Sequence, residues 1–312
     1  MRVLEAVKIH HKPVMVGEAL EALQVQPGGR YIDCTEGEGG HTQAILEACT
    51  PGGQCLGLDL DEAALEVARE RLDEYQGSLR LVNFSYVEVS RVATDWDFAP
   101  VDGIFFDLGL SSLQLEEADR GFSLKQSGPL DMRFSMEQYV TADDIVNSYS
   151  EDALAMIISH YGEEPRARRI ARTIIRHRPV GDTLELASIV QTAVGHRGSR
   201  IHPATRTFQA LRMAVNEELK NLELGIGQAL GLLGPGGRLV VISYHSLEDR
   251  LIKNLMRREA MDCICPPETP ICVCDHKATL RLISKKVITP VPEEVQANPR
   301  SRSARMRVAE HV

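Results

Sequence analysis

Long apolar runs are missing from this 312-residue chain: none approaches the about 20 residues that a membrane-spanning helix needs. No membrane association is therefore expected. The first residues, "MRVLEAVKIHHKPVM", lack the apolar core of a signal peptide. Cysteine is scarce and odd in number, seven in all, and a chain of this length builds its core without disulfide staples. These absences set the expectation of a reducing, cytoplasmic location. Aromatic residues make up only 5% of the chain, and the single tryptophan, Trp96, sits in a loop-like "TDWDF" stretch that offers no platform for stacking bases. Excess positive charge is also lacking. A net charge of −9 counts against non-specific nucleic-acid binding, which rests on neutralising phosphates, although local basic patches weigh more than the sum.

What is present is an alternation of strand-like and helix-like runs. "RYIDC" (30–34), "GQCLGLDL" (53–60), "SLRLVNF" (78–84) and "VDGIFFDLG" (101–109) read as strands, the last apolar through its middle as a central parallel strand is. Helical runs separate them, among them "EAALEVARERLDEY", which Asp61 caps and Gly77 ends. This βαβαβ pattern implies an α/β fold with a doubly wound parallel sheet. From about residue 115 to 205 the periodicity turns helical and no strand is predicted. A long helical run from Ala204 to Leu233 follows, with a break predicted near Gly225 or Gly227. "GGRLVVISYHS" (236–246) is the next strand, and "TLRLISKKVI" (279–288) and "RMRVAE" (305–310) close the sheet. The expected organisation is an α/β core made of residues 1–115 and 206–312, interrupted by a helical substrate-recognition insertion, 116–205.

The first strand runs into "DCTEGEGGHT" (33–42), a glycine turn leading into a helix. A lone glycine motif is weak, and a plain strand-to-helix turn would explain it. Spacing strengthens it: Asp59 lies 19 residues beyond Gly40, at the end of the next strand, where an acid accepts hydrogen bonds from ribose hydroxyls. A nucleoside-containing ligand follows. Glu36 and Glu38 oppose a pyrophosphate, so a ligand without phosphate and with a positive centre fits better than a dinucleotide. S-adenosyl-L-methionine combines an adenosine, an amino acid and a sulfonium.

The longer motifs "DLGLSSLQL" (107–115), "RGFSLKQSGPLDMRF" (120–134), "YGEEPRARRIARTI" (161–174), "HPATRTFQALRMAVNEEL" (202–219) and "ISYHSLEDR" (242–250) go further. With the glycine turn and "NPRSRSARMRVAE" (298–310), they make the chain resemble, over nearly its whole length, the bacterial 16S rRNA (cytosine-N4)-methyltransferase family. The resemblance implies a class I S-adenosylmethionine-dependent methyltransferase (Rossmann-like) core with an inserted helical domain. It implies methylation of the exocyclic N4 amine of a cytidine in the decoding region of small-subunit rRNA, either naked or within the assembled 30S subunit. It also implies cofactor contacts: Gly39, Gly40 and His41 around the methionine part, Asp59 on the ribose, Phe84 against adenine, and Asp107 and Gln114 completing the pocket. The chain departs from the family pattern at Glu36 and Glu38, which either add charge near the cofactor or point to solvent, at Leu113 in place of proline, and at Tyr244 in place of phenylalanine.

A cytosine amine is a poor nucleophile because its lone pair is delocalised into the ring. An acceptor for its N–H groups would help to localise that pair, and Asp107 is the candidate catalytic residue. A purely cofactor-binding role for Asp107 stands beside this reading. DNA amino-methyltransferases carry an Asp-Pro-Pro-aromatic type of turn here, and "DLGLSS" lacks the prolines, so an enzyme acting on DNA is the weaker reading. A ribosome-assembly factor that keeps a cofactor pocket without turnover is the non-enzymatic one. His245 reads as a general base or as part of a polar loop, and Asp131 with Arg133 as an RNA contact or an internal ion pair. "EPRARRIARTIIRHRP" (164–179) spreads Arg166, Arg168, Arg169, Arg172 and Arg176 opposite an apolar helix face, as a solvated face or an RNA-backbone contact. Cys263, Cys265, Cys272 and Cys274 form a C-x-C pair of pairs. Four thiolates suit zinc in principle, but this is not the usual C-x₂-C spacing of zinc sites, so a reduced or surface-oxidised loop without metal is expected, with a structural metal the weaker reading.

Overall fold

The computed structural model describes residues 13–195, 202–269 and 271–312. The chain divides into two units, one running up to Gly109 and resuming over Leu219–Val312, the other Leu110–Glu218.

The first unit begins with helix α1 (Val16–Leu23), then strand β1 (Arg30–Asp33), α2 (Gly40–Cys49), β2 (Gln54–Asp59), α3 (Glu62–Arg71), β3 (Leu79–Asn83), α4 (Val89–Asp95) and β4 (Val101–Asp107). The second unit holds α5 (Ser112–Glu116), α6 (Ala142–Ser148), α7 (Glu151–Gly162), α8 (Ala167–Arg176), α9 (Thr183–Val194) and α10 (Thr205–Val215). The first unit then resumes with α11 (Glu218–Leu230), β5 (Leu233–Ser243), α12 (Ser246–Glu259), β6 (Leu280–Leu282), α13 (Pro292–Ala297) and β7 (Arg305–His311).

The seven strands form one sheet in the order β3-β2-β1-β4-β5-β7-β6. β1 to β5 are parallel, and β7 inserts antiparallel between β5 and β6. This is the α/β class I methyltransferase architecture. Alternation along β4 fills both faces: Ile104 and Phe106 pack with Val92, Ile226 and Ile252 of α4, α11 and α12, while Phe105 packs with Leu23 and Leu46 of α1 and α2. Burial on both faces explains why the strand reads as a continuous apolar run. Asp61 caps α3 by accepting from the Ala63 N–H, but the helix stops at Arg71 and a short 3₁₀ turn, Asp73–Tyr75, carries the chain toward Gly77.

Three expectations need correction. The helical run after residue 204 breaks at Asn216–Glu217, where Glu217 adopts φ +47°, and α11 runs unbroken through Gly225 and Gly227. Gly225 is small because the Tyr86 ring packs on it, 2.4 Å from where a Cβ would lie. Because that break lies late, α10 falls in the helical unit, and the unit ends at Glu218 rather than at 205. The segment 279–288 pairs only over Leu280–Leu282 and through a single bridge from Ile288 to Met306.

The second unit has its own core, in which Ile145, Leu154, Ile158, Ile170, Ile174, Leu186, Val190 and Leu211 are buried together. No strand occurs among its described residues. α8 buries Ala167, Ile170, Ala171 and Ile174, the face its sequence predicts.

Candidate functional site

Strands β1, β2, β3 and β4 end in Asp33, Asp59, Asn83 and Asp107. Since the strands are parallel, all four residues stand at the carboxyl edge of the sheet, where open α/β sheets bind ligands. The loop after β1 is shaped for tight packing. Gly39 caps α2 at φ +80°, and a Cβ there would lie 2.8 Å from Leu72 Cδ1. On Gly40 a Cβ would lie 2.3 Å from Pro13 Cγ. Asp59 ties this loop to the start of α3: Oδ2 accepts the Gly37 N–H and Oδ1 the Asp61 N–H, both at 2.8 Å. Burial raises its pKa to about 6 in spite of these donors. Each oxygen retains a lone pair for a further donor.

Glu36 does not face solvent. It is 4% exposed and turns inward, into space left by Gly57 of β2, where a Cβ would sit 2.1 Å from Glu36 Oε2. Thr42 Oγ1 lies 2.6 Å from Glu36 Oε2 and 3.3 Å from Asp33 Oδ2. One hydroxyl hydrogen cannot serve two carboxylates. A protonated Glu36 resolves this by donating to Thr42, which donates to Asp33. Burial, followed by the nearby Asp33, pushes the Glu36 pKa well above the carboxylate range, in agreement. Asp33, fully buried, is raised to about 6, again by burial first. Glu38 is also buried, at 6%, and neither of its carboxylate oxygens has a hydrogen-bond partner among the described residues. Neither glutamate therefore faces solvent; for Glu36 the room comes from Gly57 on the neighbouring strand, which local sequence does not reveal.

Asp107 is held from two sides. Tyr244, after β5, donates its hydroxyl to Oδ1 at 2.8 Å. The Asp107 N–H donates to Thr35 Oγ1 at 2.6 Å. Burial lifts its pKa to about 7 against the pull of the Tyr244 hydroxyl. His41 Nε2 lies 2.9 Å from the Val14 carbonyl, which only accepts, so the hydrogen is assigned to Nε2 and Nδ1 carries a lone pair. Nδ1 lies 3.7 Å from Asp107 Oδ2. Burial lowers the His41 pKa, which keeps the ring neutral near pH 7. With Asp107 ionised both atoms are acceptors, and a donor bound beside the pair can reach them.

Of the sequence-predicted residues, Gly39, Gly40, His41, Asp59 and Asp107 gather at the ends of β1, β2 and β4. Phe84 follows β3, partly exposed, with the Arg91 guanidinium 4.6 Å from its ring centroid. Gln114 lies in the other unit, where its side-chain oxygen accepts the Ser111 N–H in the capping box of α5. Sequence reasoning passed over Asp33, Thr35, Thr42 and Tyr244 as site residues. An acid at the end of an apolar strand, with threonines two and nine residues on, was the available signal for the first three.

Other candidates resolve simply. Arg133 grips Asp131 with two nitrogens, at 2.9 and 2.7 Å, and spends Nη1 on the Met136 and Gln138 carbonyls, so the pair is internal. His245 caps α12 with Nδ1 accepting the Glu248 N–H, and its Nε2 lies 2.9 Å from Glu248 Oε1. On α8, Arg168, Arg169, Arg172 and Arg176 are exposed and border an open groove of about 620 Å³ between α8 and α9, while Arg166 turns in to the Val194 carbonyl.

A sequence model of the MraW methylase family matches residues 8–312. The chain belongs to the MraW methylase family. It is 56% identical over 302 residues to the ribosomal RNA small subunit methyltransferase H of Dehalococcoides mccartyi, covering 97% of this chain and 86% of that protein. The protein of the same name from Thermomicrobium roseum is 52% identical over 305 residues, covering 97% and 94%. The crystal structure of TrmN from Thermus thermophilus is a looser likeness, with TM-score 0.46 and 15% identity over 98% of this chain and 51% of that one. S-adenosylmethionine is the cofactor of this MraW-family methylase. The strand ends suit it: the carboxylates of Asp59 and Asp107 are acceptors, which complement hydroxyl and ammonium donors and a sulfonium charge and would repel a pyrophosphate.

Among the described residues no helix is long and apolar enough to cross a membrane.

Proposed function

We propose that this chain methylates the exocyclic N4 amine of a cytidine in the decoding region of small-subunit rRNA. The names of its relatives support the rRNA substrate, and the family resemblance supports the base and the region. The observation that carries the amine chemistry is the pair of acceptors Asp107 Oδ2 and His41 Nδ1, 3.7 Å apart at the end of β4 with a neutral imidazole on one side.

In this reading Gly39, Gly40 and His41 shape the wall around the methionine part of the cofactor, Asp59 accepts from the ribose, and Phe84 lies against adenine. The family resemblance also implies a cofactor contact for Gln114. When bound, S-adenosylmethionine supplies an electrophilic methyl group on sulfur. Ionised Asp107 accepts a hydrogen bond from the target amine through Oδ2, which draws the nitrogen lone pair out of conjugation. Tyr244 holds Oδ1 and so leaves Oδ2 as the free acceptor. The methylated amine is acidic enough to lose its proton without a dedicated strong base. The four exposed arginines of α8 contact RNA phosphates.

The test is transfer of a labelled methyl group from the cofactor to small-subunit rRNA and to assembled small subunits, with duplex DNA as comparison and the product nucleoside identified. N4-methylcytidine in rRNA is the expected product. Methylated DNA, another nucleoside, or a cofactor-binding protein without turnover would each reject the assignment.

A further inference from the structure

Between α12 and β6 the chain makes a loop with almost no core. Its apolar side chains Ile271 and Val273 are 78% and 76% exposed, so hydrophobic burial does not hold it. Its sulfurs nonetheless converge. Cys263 and Cys272, and Cys272 and Cys274, are 3.5 Å apart at Sγ, Cys263 and Cys274 3.8 Å, and Cys265 and Cys272 4.0 Å. All four Sγ atoms lie within 4.8 Å of one another. Four ligands at the about 2.3 Å of a zinc–thiolate bond, arranged as a tetrahedron, stand roughly 3.8 Å apart along each edge. The observed separations bracket that value. They do not resemble disulfides, which would show two sulfur pairs at about 2.05 Å, and all four cysteines are free.

The backbone points the same way. Ile264, the middle residue of the first C-x-C, donates its N–H to Cys274 Sγ, and Val273, the middle residue of the second, donates to Cys265 Sγ, each at 3.4 Å. Such N–H donors stabilise the thiolates a metal requires. The ends of the loop are anchored, with the Thr279 N–H on the Glu259 carbonyl at 2.9 Å and His276 Nε2 3.2 Å from the Arg258 carbonyl, which leaves His276 outside the ligand set. We propose that Cys263, Cys265, Cys272 and Cys274 form a closed tetrathiolate site for one zinc ion. With four protein ligands no coordination position is open, so the ion is structural: it folds a loop that lacks a core and takes no part in methyl transfer. The sequence expectation of no metal rested on the short C-x-C spacing, and the fold brings the sulfurs of the two pairs together in a way that spacing alone does not convey.

Full-length protein is purified under reductant without chelator, stripped, and titrated with zinc and with cobalt(II). One zinc per chain is expected. Cobalt should give the visible bands and sulfur-to-metal charge transfer of a tetrahedral thiolate site. The Cys272→Ser/Cys274→Ser variant should lose both signals while His276→Ala keeps them. Absence of stoichiometric zinc after reconstitution, a cobalt spectrum without thiolate charge transfer, tightly held iron in place of zinc, or metal retained in the double variant would each overturn the assignment. Because the wild-type titration decides alone, a double variant that fails to fold leaves the test intact. So does an inactive enzyme, since no readout depends on methyl transfer.

Discussion

Replacing Asp107 with Asn keeps the shape of the side chain and removes its ability to ionise. In the native protein its pKa is raised from 3.8 to about 7, chiefly by burial. The folded state therefore binds a proton over a range in which the unfolded chain has released it, and the slope of stability with pH is negative there. The stabilising contribution is complete below the unfolded pKa and is lost as pH rises through about 7. A displacement of about 3 pH units at about 1.4 kcal/mol each corresponds to roughly 4 kcal/mol. Urea unfolding of wild type and Asp107→Asn from pH 5 to 9 reads this contribution together with a smaller one from Asp33, whose pKa the Asp107 charge also raises. Wild type should lose up to about 1.4 kcal/mol per pH unit relative to the variant, with the gap levelling off above pH 7 to 8. Tyr244→Phe removes the donor to Oδ1, a hydrogen bond to a charged group of about 1.5–3 kcal/mol, and should move the levelling-off point up by about 1–2 pH units. The single-turnover methylation rate should rise through the same pH range and shift upward with it in Tyr244→Phe. Parallel stability curves for wild type and Asp107→Asn would show that burial at the end of β4 is not what sets this carboxyl.

Asp59→Ala should weaken cofactor binding by about 1.5–3 kcal/mol in calorimetry, and unchanged affinity would remove Asp59 from the ribose position. Changing Arg168, Arg169, Arg172 and Arg176 together to Gln should flatten the slope of log RNA affinity against log salt by up to about 2.8, at about 0.7 per phosphate contact, with cofactor affinity unaltered. The exposed pair between Arg172 and Glu151, at 3.1 Å, is too weak to withhold that arginine, whereas an unchanged slope would place the RNA elsewhere. Gly57→Ala drives a methyl against the Glu36 carboxyl and Leu81, so it should cost about 1–3 kcal/mol in unfolding. Adding Glu36→Ala should recover part of that loss, and strictly additive effects would mean the two residues do not meet.

The strands were legible because each is short, apolar and bounded by turns, and Asp59 and Asp107 were legible because a charge at the end of a buried strand is unusual. The inward turn of Glu36 was not, since it depends on a missing side chain at Gly57, which pairs with Asp33 across strands β1 and β2. The late helix break at Glu217 was hidden for the opposite reason: Gly225 looks like a breaker but is required by the Tyr86 ring. Gln114 was read from a motif whose local role, the capping box of α5, is equally well served by the same residue. Its sequence cannot separate the two uses.

The insertion of the helical unit between β4 and β5 bears on how the protein is made. β4 pairs with β1 on one side and β5 on the other, and 125 residues, Leu108 to Leu232, separate it from β5. At about 5–20 residues per second, β5 leaves the ribosome roughly 6–25 s after β4. During that delay the half-built sheet keeps one long apolar edge without hydrogen-bond partners, while the helical unit between, whose contacts are more local, can already condense. Nascent chains stalled between residues 110 and 232 should therefore be the ones that depend on chaperones, and a fragment ending near residue 218 should aggregate through β4 even though the helices it carries are complete.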